Sequence, residues 1–165
     1  MGEEKLDPNK EYTLILVKPD GYHRGLTGKI LARIEQKGYA IAALRVLQAS
    51  TDELHGHYEE HRDKHFFESM VDFMRSGKIV AAVIEGTRVV EGVRSLVGST
   101  NPTEAAPGTI RGDFGRDYDS GHIQNLVHAA DSASSAAREI KNLVSGALLK
   151  EQKTNVCKVA DAARI

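Results

Sequence analysis

Four short apolar segments, separated by stretches of helical character, constrain the fold of this 165-residue chain more than any other feature. They are YTLILV (12–17), YAIAALRVLQ (39–48), KIVAAVIEG (78–86) and QNLVH (124–128). Their length and apolar content are typical of β-strands. The continuous run over 12–17 indicates a strand that is buried on both faces or lies at the centre of a sheet. We therefore predict a four-stranded sheet.

Amphipathic stretches with recognisable start signals lie between and after these segments. A capping-box pattern, Ser50 followed three residues later by Glu53, predicts a helix start after the second strand. Further helices are predicted from apolar positions at helical spacing: Ile30, Leu31 and Ile34; Phe66, Met70 and Phe73 within 66–77; and Val90, Val93 and Val97. A last helix over 131–145 would be capped by Asp131 or Ser132.

The order strand, helix, strand, helix pair, strand, helix, strand, helix fits one α/β (α+β) domain. It matches a ferredoxin-like βαββαβ sandwich, in which helices pack on a four-stranded antiparallel sheet. A doubly wound parallel sheet is the competing assembly, and element order alone does not exclude it. We expect a flexible lead-in over 1–10, the domain over 11–148 and an atypical C-terminal tail over 149–165.

Charge and hydropathy exclude several classes of function. With 22 basic and 23 acidic residues the formal net charge is −1, which argues against a dedicated nucleic-acid binder. The sequence has no apolar run of membrane-spanning length, and its first ten residues are polar, so we expect no membrane partner and no secretory signal. A single cysteine, Cys157, fits a reducing compartment, and we expect a cytoplasmic protein.

The motif HYEEH (57–61) matches the inverted zinc-protease pattern H-x-x-E-H. His57, His61 and His65 would then share one face of a surface helix. Histidines at this spacing are common on solvated helices, and no further ligand is obvious. A zinc hydrolase is therefore the weaker hypothesis for this chain.

Several polar side chains are placed where an anion could bind. Arg94, Thr100 and Arg111 lie in or beside the long loop 98–121, and arginine binds phosphate oxygens in a planar, bidentate manner. Lys18 and His128 each lie at the end of an apolar strand, where a polar side chain is held in position.

Glu139 could orient the His128 ring. It follows that histidine by eleven residues, in the middle of the last predicted helix, and a carboxylate beside an imidazole fixes the ring's tautomer. A lysine, two arginines, a hydroxyl, a histidine and a supporting acid together indicate phosphoryl transfer, which depends on positioning and charge neutralisation.

Longer blocks of sequence carry a resemblance to a known family. They are VKPDGYHRGLTGKI, EQKGYAI, HYEEHRDKHFF, SGKIVAAVIEG, VRSLVGSTNPTEAAPGTIRGDFG and NLVHAADS, in this order over roughly residues 11–145. In these blocks the chain closely resembles the nucleoside diphosphate kinases. Several blocks in the right order are far more specific than a single motif.

The resemblance implies that the γ-phosphate of a nucleoside triphosphate, typically ATP, passes to a nucleoside diphosphate by a ping-pong mechanism through phospho-His128. The implied catalytic residues are His128, Lys18, Glu139 and Tyr58. The implied nucleotide-binding residues are Lys18, His57, Tyr58, Arg62, Phe66, Met70, Arg94, Thr100, Arg111 and Asn125, with Phe66 stacking on the base and Met70 beside it. Stacking accepts every common base, which implies broad specificity for ribo- and deoxynucleotides.

The resemblance also implies a cofactor and an assembly. Mg²⁺ would be held mainly by the nucleotide phosphates, without a dedicated set of protein ligands. The family forms homohexamers or homotetramers from a common dimer, and the sequence does not decide between them.

Three departures from the family pattern bear on activity. Ala129 and Ala130 follow the histidine, where relatives usually have glycine and then a serine that supports the glutamate. The segment 116–124 is a few residues longer than usual, and the sequence after the last predicted helix is atypical. The alternative hypothesis is thus a catalytically weakened nucleotide-binding or regulatory homologue.

Overall fold

A four-stranded antiparallel sheet forms the centre of the chain in a computed structural model that describes residues 10–119 and 123–145. The strands are β1 (Tyr12–Val17), β2 (Ala40–Leu47), β3 (Ile79–Glu85) and β4 (Val127–Ala129), in the order β2-β3-β1-β4. All three neighbouring pairs run antiparallel. The ferredoxin-like prediction is confirmed, and the doubly wound alternative is excluded because it requires parallel neighbours.

Helices connect and follow the strands. Within the described residues the α-helices are α1 (Pro19–His23), α2 (Thr27–Gln36), α3 (Thr51–His57), α4 (Phe67–Arg75), α5 (Val89–Val97), α6 (Ile110–Phe114) and α7 (Ala133–Ile140). A 3₁₀ turn covers Glu59–His61, and a π turn covers Lys141–Ser145. None of these described helices is long and apolar enough to cross a membrane. The predicted lead-in and tail fall almost wholly outside the described ranges, so the domain limits stay predictions.

Alternate residues of the central strands fill two hydrophobic cores, one on each face of the sheet. Leu14 and Leu16 of β1 point to one face, where they pack with apolar residues of α3, α4 and α7. Ile15 and Val17 point to the other face and meet apolar residues of α2, α5 and α6. This period of two is the side-chain alternation of a strand. The continuous apolar run of β1 therefore reflects burial on both faces, as predicted.

The helix start at Ser50 is a capping box, as predicted. The Ser50 hydroxyl accepts a hydrogen bond from the Glu53 backbone N–H, and the Glu53 carboxylate accepts one from the Ser50 N–H at 2.9 Å. These two bonds satisfy donors that a helix start leaves unpaired, and they orient α3 above the sheet.

The structure adds two short helices that the sequence pattern does not predict, α1 directly after β1 and α6 in the long loop. Residues 98–121 carry no clear periodicity, yet α6 begins there at Ile110. The Thr109 hydroxyl caps it by accepting a hydrogen bond from the Gly112 N–H at 3.0 Å. A helix of five residues is too short to produce a recognisable apolar repeat.

The apolar repeat of α4 lies at the border between the core and a cleft, and its Met70 and Phe73 pack against the core. Phe66, Met70 and Phe73 recur at helical spacing as predicted, but all three line an open cleft beside the sheet. The buried residues of α4 are Phe67, Val71 and Met74. The helix thus presents one apolar face to the core and a neighbouring one to the cleft.

We predict that Gly112→Ala destabilises the chain and that Gly28→Ala stabilises it. A Cβ on Gly112 would collide with the backbone carbonyl of Ala106, so we expect a cost of about 1–3 kcal/mol from overpacking. A Cβ on Gly28 in α2 would meet nothing within 4 Å, and alanine's higher helix propensity should add about 0.5–1 kcal/mol. Urea unfolding measures both changes. A Gly112→Ala variant as stable as the unaltered chain would contradict the close packing of α6.

Candidate active site

The register between β4 and β1 decides which way His128 points. His128 lies opposite Leu16, and side chains directly opposite each other in an antiparallel pair share one face of the sheet. Leu16 belongs to the core beneath α3, α4 and α7. His128, the middle residue of β4 and not the end of a strand as predicted, therefore points toward these helices, where the core meets the cleft.

Glu139 of α7 holds the His128 ring. Its Oε2 atom lies 2.8 Å from Nε2 of His128, and the Glu139 side chain is 6% exposed. Ser132 begins α7 by accepting a hydrogen bond from the Ser135 N–H at 3.1 Å, which sets the helix position. When Glu139 is ionised its carboxylate can only accept, so the proton lies on Nε2 and Nδ1 keeps a free lone pair.

Burial and nearby charges set the protonation of this pair. Burial, followed by the positive charges of Lys18 and Arg111, lowers the pKa of His128 from 6.5 to about 3. Burial raises the pKa of Glu139 from 4.5 to about 7. The contact is therefore a hydrogen bond between a neutral imidazole and a carboxylate that titrates near neutral pH.

His57, the last residue of α3, lies against the His128 ring. The two ring centroids are 4.7 Å apart in an edge-on arrangement, and His57 is 3% exposed. Neither of its ring nitrogens has a hydrogen-bond partner among the described residues. Burial, followed by repulsion from His128, lowers the pKa of His57 to about 3, so the ring is neutral.

Tyr58, the residue after His57, lines the same side of the cleft. Its ring centroid is 5.9 Å from that of His128, and its hydroxyl is buried without a partner among the described residues. Burial, followed by the Glu139 charge, raises the pKa of this phenol well above its usual range. Tyr58 is therefore neutral and can donate a hydrogen bond to a bound group.

A chain of hydrogen bonds joins the end of β1 to the long loop. The Lys18 ammonium donates to Oδ1 of Asn125 at 2.7 Å, and the Asn125 amide donates to the Thr100 carbonyl at 2.8 Å. Burial, followed by the Arg111 charge, lowers the pKa of Lys18 to about 8. Lys18 is thus largely charged at neutral pH and fixed in direction by Asn125.

Arg111 is mainly a brace for the loop. It donates to the carbonyls of Gly98 at 2.9 Å, Val127 at 2.7 Å and Asn125 at 3.3 Å. A guanidinium has five N–H donors, so these three bonds leave two for a ligand. Burial and the Arg94 charge lower the pKa of Arg111 to about 10, and it stays positive at neutral pH.

Leu126, next to the site, holds a strained backbone conformation. Its φ angle is 71°, a left-handed value that costs energy in a residue with a side chain. Its N–H donates to Oδ2 of Asp20 at 3.1 Å, and its carbonyl accepts from the Lys18 N–H at 2.8 Å. Asp20, in the first turn of α1 and two residues after Lys18, is a supporting residue that the sequence did not indicate.

These side chains line one cleft of about 670 Å³. Of the expected site residues in the described part of the chain, the cleft wall includes all but Arg62: Lys18, His57, Tyr58, Phe66, Met70, Arg94, Thr100, Arg111, Asn125, His128 and Glu139. Arg62 is exposed at the end of the 3₁₀ turn, outside this wall. Phe66 is 41% exposed at the mouth, where a planar ring could stack on it.

The wall also contains acidic residues that the sequence did not indicate. Glu60 faces the cleft and pairs with Arg138 of α7 at 2.7 Å, and Asp131 lines the wall near His128. The Asp131 carboxylate partly offsets the cations that lower the pKa of His128. No spacing pattern marks either residue: Glu60 lies in the 3₁₀ turn, and Asp131 lies in the bend between β4 and α7.

The structure corrects the helix on which the zinc-protease hypothesis depends. That helix ends at His57, and His61 belongs to the separate 3₁₀ turn, so His57, His61 and His65 do not share one helix face. His57 is also buried in the cleft wall and not exposed at a surface. The motif therefore lacks the geometry of a metalloprotease helix.

Comparison with known proteins gives a consistent set of relatives. The family model described as "Nucleoside diphosphate kinase" matches residues 11–147. A nucleoside diphosphate kinase of Archaeoglobus fulgidus is 52% identical over 130 residues, which cover 79% of this chain and 83% of that protein. Another from Streptomyces avermitilis is 53% identical over 135 residues, covering 81% and 96% respectively.

Solved structures share the fold. A halophilic nucleoside diphosphate kinase from Halobacterium salinarum, in complex with CDP, superimposes with a TM-score of 0.77 at 41% identity, covering 82% of this chain and 88% of that one. A transition-state mimic of the Borrelia burgdorferi enzyme, with bound vanadate and ADP, gives a TM-score of 0.76 at 32% identity, covering 81% and 86%.

We predict that the buried histidines make the chain sensitive to acid. The pKa of His57 is 6.5 when unfolded and about 3 when folded, so the unfolded state binds more protons between these values. Stability contributed by His57 is therefore present above pH 6.5 and is lost as pH falls, by about 1.4 kcal/mol per pH unit at most. His128 acts in the same direction, whereas the raised pKa of Glu139 opposes it.

Urea unfolding between about pH 5 and pH 7 tests this pH dependence. The variant His57→Gln should show a shallower loss of unfolding free energy than the unaltered chain as the pH falls. His23→Gln, which changes an exposed histidine at the end of α1, is the matched control and should keep the full slope. An unchanged slope in His57→Gln would contradict the burial of a neutral imidazole at this position.

Proposed function

Because this chain belongs to the nucleoside diphosphate kinase family and is a nucleotide-binding phosphotransferase, we propose that it passes the γ-phosphate of a nucleoside triphosphate to a nucleoside diphosphate through His128. The contact of His128 Nε2 with Glu139 at 2.8 Å carries this proposal. It leaves Nδ1 of the same ring as a nucleophile at the cleft.

In the first half-reaction the Nδ1 lone pair of His128 attacks the γ-phosphorus. A nitrogen–phosphorus bond forms, the bond from phosphorus to the β,γ-bridging oxygen breaks, and the nucleoside diphosphate leaves with that electron pair. Glu139 stabilises the positive charge that develops on the ring. In the second half-reaction the terminal phosphate oxygen of a different nucleoside diphosphate attacks the phosphohistidine, and the imidazole is released.

The cations of the cleft would neutralise the transferring phosphoryl group. Lys18, held by Asn125, and the two remaining N–H donors of Arg111 are fixed before substrate arrives, so little reorganisation is needed. Arg94 and Thr100 line the same wall. Lys18 and Asn125 would also hold the sugar 3′-hydroxyl, while the neutral Tyr58 hydroxyl donates to a phosphate oxygen. A contribution from the exposed Arg62 stays a prediction.

Phe66 and Met70 at the cleft mouth support broad base specificity. Stacking and apolar contact read the flat face of a base and not its hydrogen-bonding edge. We propose free nucleoside di- and triphosphates, including ATP, GTP and the deoxy forms, as the substrates. Nucleic-acid and membrane partners are not part of this proposal, and the cytoplasmic location stays a prediction.

The donor set of the cleft fits a magnesium ion that arrives with the nucleotide. The cleft wall carries lysine and arginine next to three carboxylates, of which Glu139 is bonded to His128 and Glu60 to Arg138. Asp131, whose carboxylate is hydrogen-bonded to Ser135 and Ser132, lines the same wall and would hold a water of such an ion. When bound, Mg²⁺ supplies charge neutralisation to the phosphates and needs few protein ligands.

Ala130 favours a second candidate, a catalytically weakened nucleotide-binding homologue. Ala130 is fully buried, at the position where the family resemblance implies a serine that supports the glutamate. A missing hydrogen bond to a buried carboxylate weakens its hold on the ring by an amount on the order of 1 kcal/mol. Such a loss slows phosphoryl transfer about fivefold but leaves the nucleophile in place.

The edge strand β2 supports assembly of several copies. It lies at one end of the sheet, and its Leu44 and Val46 side chains are 53% and 50% exposed. An exposed apolar edge strand pairs readily with another strand. We propose a homo-oligomer, a hexamer or a tetramer, in which this edge contacts a second copy.

We predict that the chain forms an acid-labile, alkali-stable phosphoenzyme with γ-labelled ATP and Mg²⁺. The label should move to GTP when unlabelled GDP is added, because the phosphohistidine is an intermediate. His128→Ala should carry no label, whereas the control His23→Ala, an exposed histidine of α1, should be labelled like the unaltered chain. Label on His128→Ala, or no label on an unaltered chain that binds ATP, would contradict the mechanism.

We predict that Ala130→Ser accelerates phosphoenzyme formation about fivefold, since one restored hydrogen bond is worth about 1 kcal/mol. Single-turnover labelling measures this rate. Ala133→Ser adds the same hydroxyl at an exposed position of α7 and serves as the control without a rate change. An unchanged labelling rate in a folded Ala130→Ser variant would contradict the idea that the missing serine hydroxyl slows this site.

We predict that Leu44→Glu combined with Val46→Glu reduces the mass of the assembly, because two buried charges in an interface are costly. Sedimentation velocity measures the mass. Ile123→Glu, which alters an equally exposed apolar residue of the cleft, is the control and should keep the original mass. An unchanged mass for the β2 double variant would place the interface elsewhere.

A further inference from the structure

His57, His128 and Glu139 form a cluster whose ligand-type atoms lie close together. Each offers one nitrogen or oxygen atom, and these three atoms all lie within 4.8 Å of one another. The three side chains come from different elements, the end of α3, strand β4 and the middle of α7. The mechanism proposed above uses the contact between His128 and Glu139 but assigns no chemical step to His57.

A single ion could reach all three atoms after small movements. Three points within 4.8 Å of one another fit in a circle of about 2.8 Å radius, and zinc bonds to histidine and carboxylate are about 2.0–2.2 Å long. The side chains would therefore have to move by less than about 1 Å toward a common centre. Rotation about the side-chain torsions covers such a distance.

His57 independently points to a ligand. Its side chain is 3% exposed and lines the cleft, and neither ring nitrogen has a hydrogen-bond partner among the described residues. Burying an imidazole without partners costs free energy, so a group that accepts its lone pair would be bound favourably. The ring also lies edge-on to His128 at 4.7 Å, which directs it into the cluster.

The ligand types select the metal. Two imidazoles and one carboxylate, with a fourth position open to a cleft, form the set that zinc uses in catalytic sites. Mg²⁺ prefers oxygen ligands and keeps most of its water, so this cluster discriminates against it. The nearby positive charges of Lys18 and Arg111 oppose any cation, and they favour weak, reversible binding over a permanent structural site.

We propose that His57, His128 and Glu139 form a site for Zn²⁺, or a similar divalent transition metal, whose occupation inhibits phosphoryl transfer. Zinc on Nδ1 of His128 would use the attacking lone pair directly. Zinc bound to Nε2 would move the proton from Nε2 to Nδ1. The lone pair of Nδ1 would then be unable to attack phosphorus. The inhibition rests on the proposed role of His128, whereas the metal site itself does not.

Zinc titration of the nucleotide-free chain, in competition with a chromogenic chelator, tests the site. Every variant carries Cys157→Ser, because the single thiol would also bind zinc. We expect one zinc ion per chain in the cluster, and at least about tenfold weaker binding in His57→Gln and in Glu139→Gln. His61→Gln is the control, since it keeps the cluster and removes the neighbouring histidine of the HYEEH motif.

Several outcomes overturn the proposal. Unaltered affinity in His57→Gln, or an equal loss in His61→Gln, places zinc elsewhere. Adding Co²⁺ to the Cys157→Ser chain, which keeps His57, gives a second readout. This readout does not depend on whether the His57→Gln variant folds. Visible absorption bands of four-coordinate cobalt are expected, and their absence contradicts the site.

Phosphoenzyme labelling with and without saturating zinc separates this proposal from the proposed function. If zinc binds as described and also slows phosphoenzyme formation, the inhibitory role holds. If zinc binds but the labelling rate stays unchanged at saturation, the inhibitory role is wrong. If no phosphoenzyme forms in zinc-free buffer, the assignment of His128 as nucleophile fails, while the titration still decides whether the metal site exists.

Discussion

The contact between His128 and Glu139 is the interaction on which the site depends. A histidine ring has two nitrogens, and only the one without a proton can attack phosphorus. With Nε2 held by a buried carboxylate at 2.8 Å, the lone pair is presented on Nδ1 at the cleft. Burial strengthens this bond, and it also raises the pKa of Glu139 to about 7. The Glu139 carboxylate is therefore only partly ionised near neutral pH.

The remainder of the structure keeps this pair in position and supplies charge around it. The pairing of β4 with β1 points His128 under α7, and α7 begins at a serine cap that fixes its start. Arg111 joins the long loop to the strand through three carbonyls, which also brings a positive charge beside Lys18. Because burial and these cations lower the pKa of His128, the ring is neutral and keeps a free lone pair at the cleft.

Sequence pattern predicted the first three strands closely, because burial on both faces leaves a continuous apolar run, whereas β4 begins at Val127, three residues later than the predicted start. It also indicated Lys18 and His128, since each polar residue follows a run of apolar residues, although His128 lies within β4 and not at its end. It did not predict helices α1 and α6, which are too short to show a period, or the role of Arg111 as a brace. The burial of His57 was missed for a different reason: its contact with His128 joins residues far apart in sequence, and only helix packing creates it. The role of Arg62 came from family resemblance alone, and its side chain lies outside the cleft wall.

The most direct test of this account is the nitrogen NMR spectrum of His128 in chain labelled with ¹⁵N-histidine. The spectrum would be recorded about one pH unit above the pKa of Glu139, where the carboxylate is ionised. His128→Gln identifies the signals by their loss. We expect a protonated Nε2 and an unprotonated Nδ1, with phosphorylation then shifting the Nδ1 signal. A protonated Nδ1 with a bare Nε2 would contradict the central claim, because the ring would then present no lone pair to the phosphate.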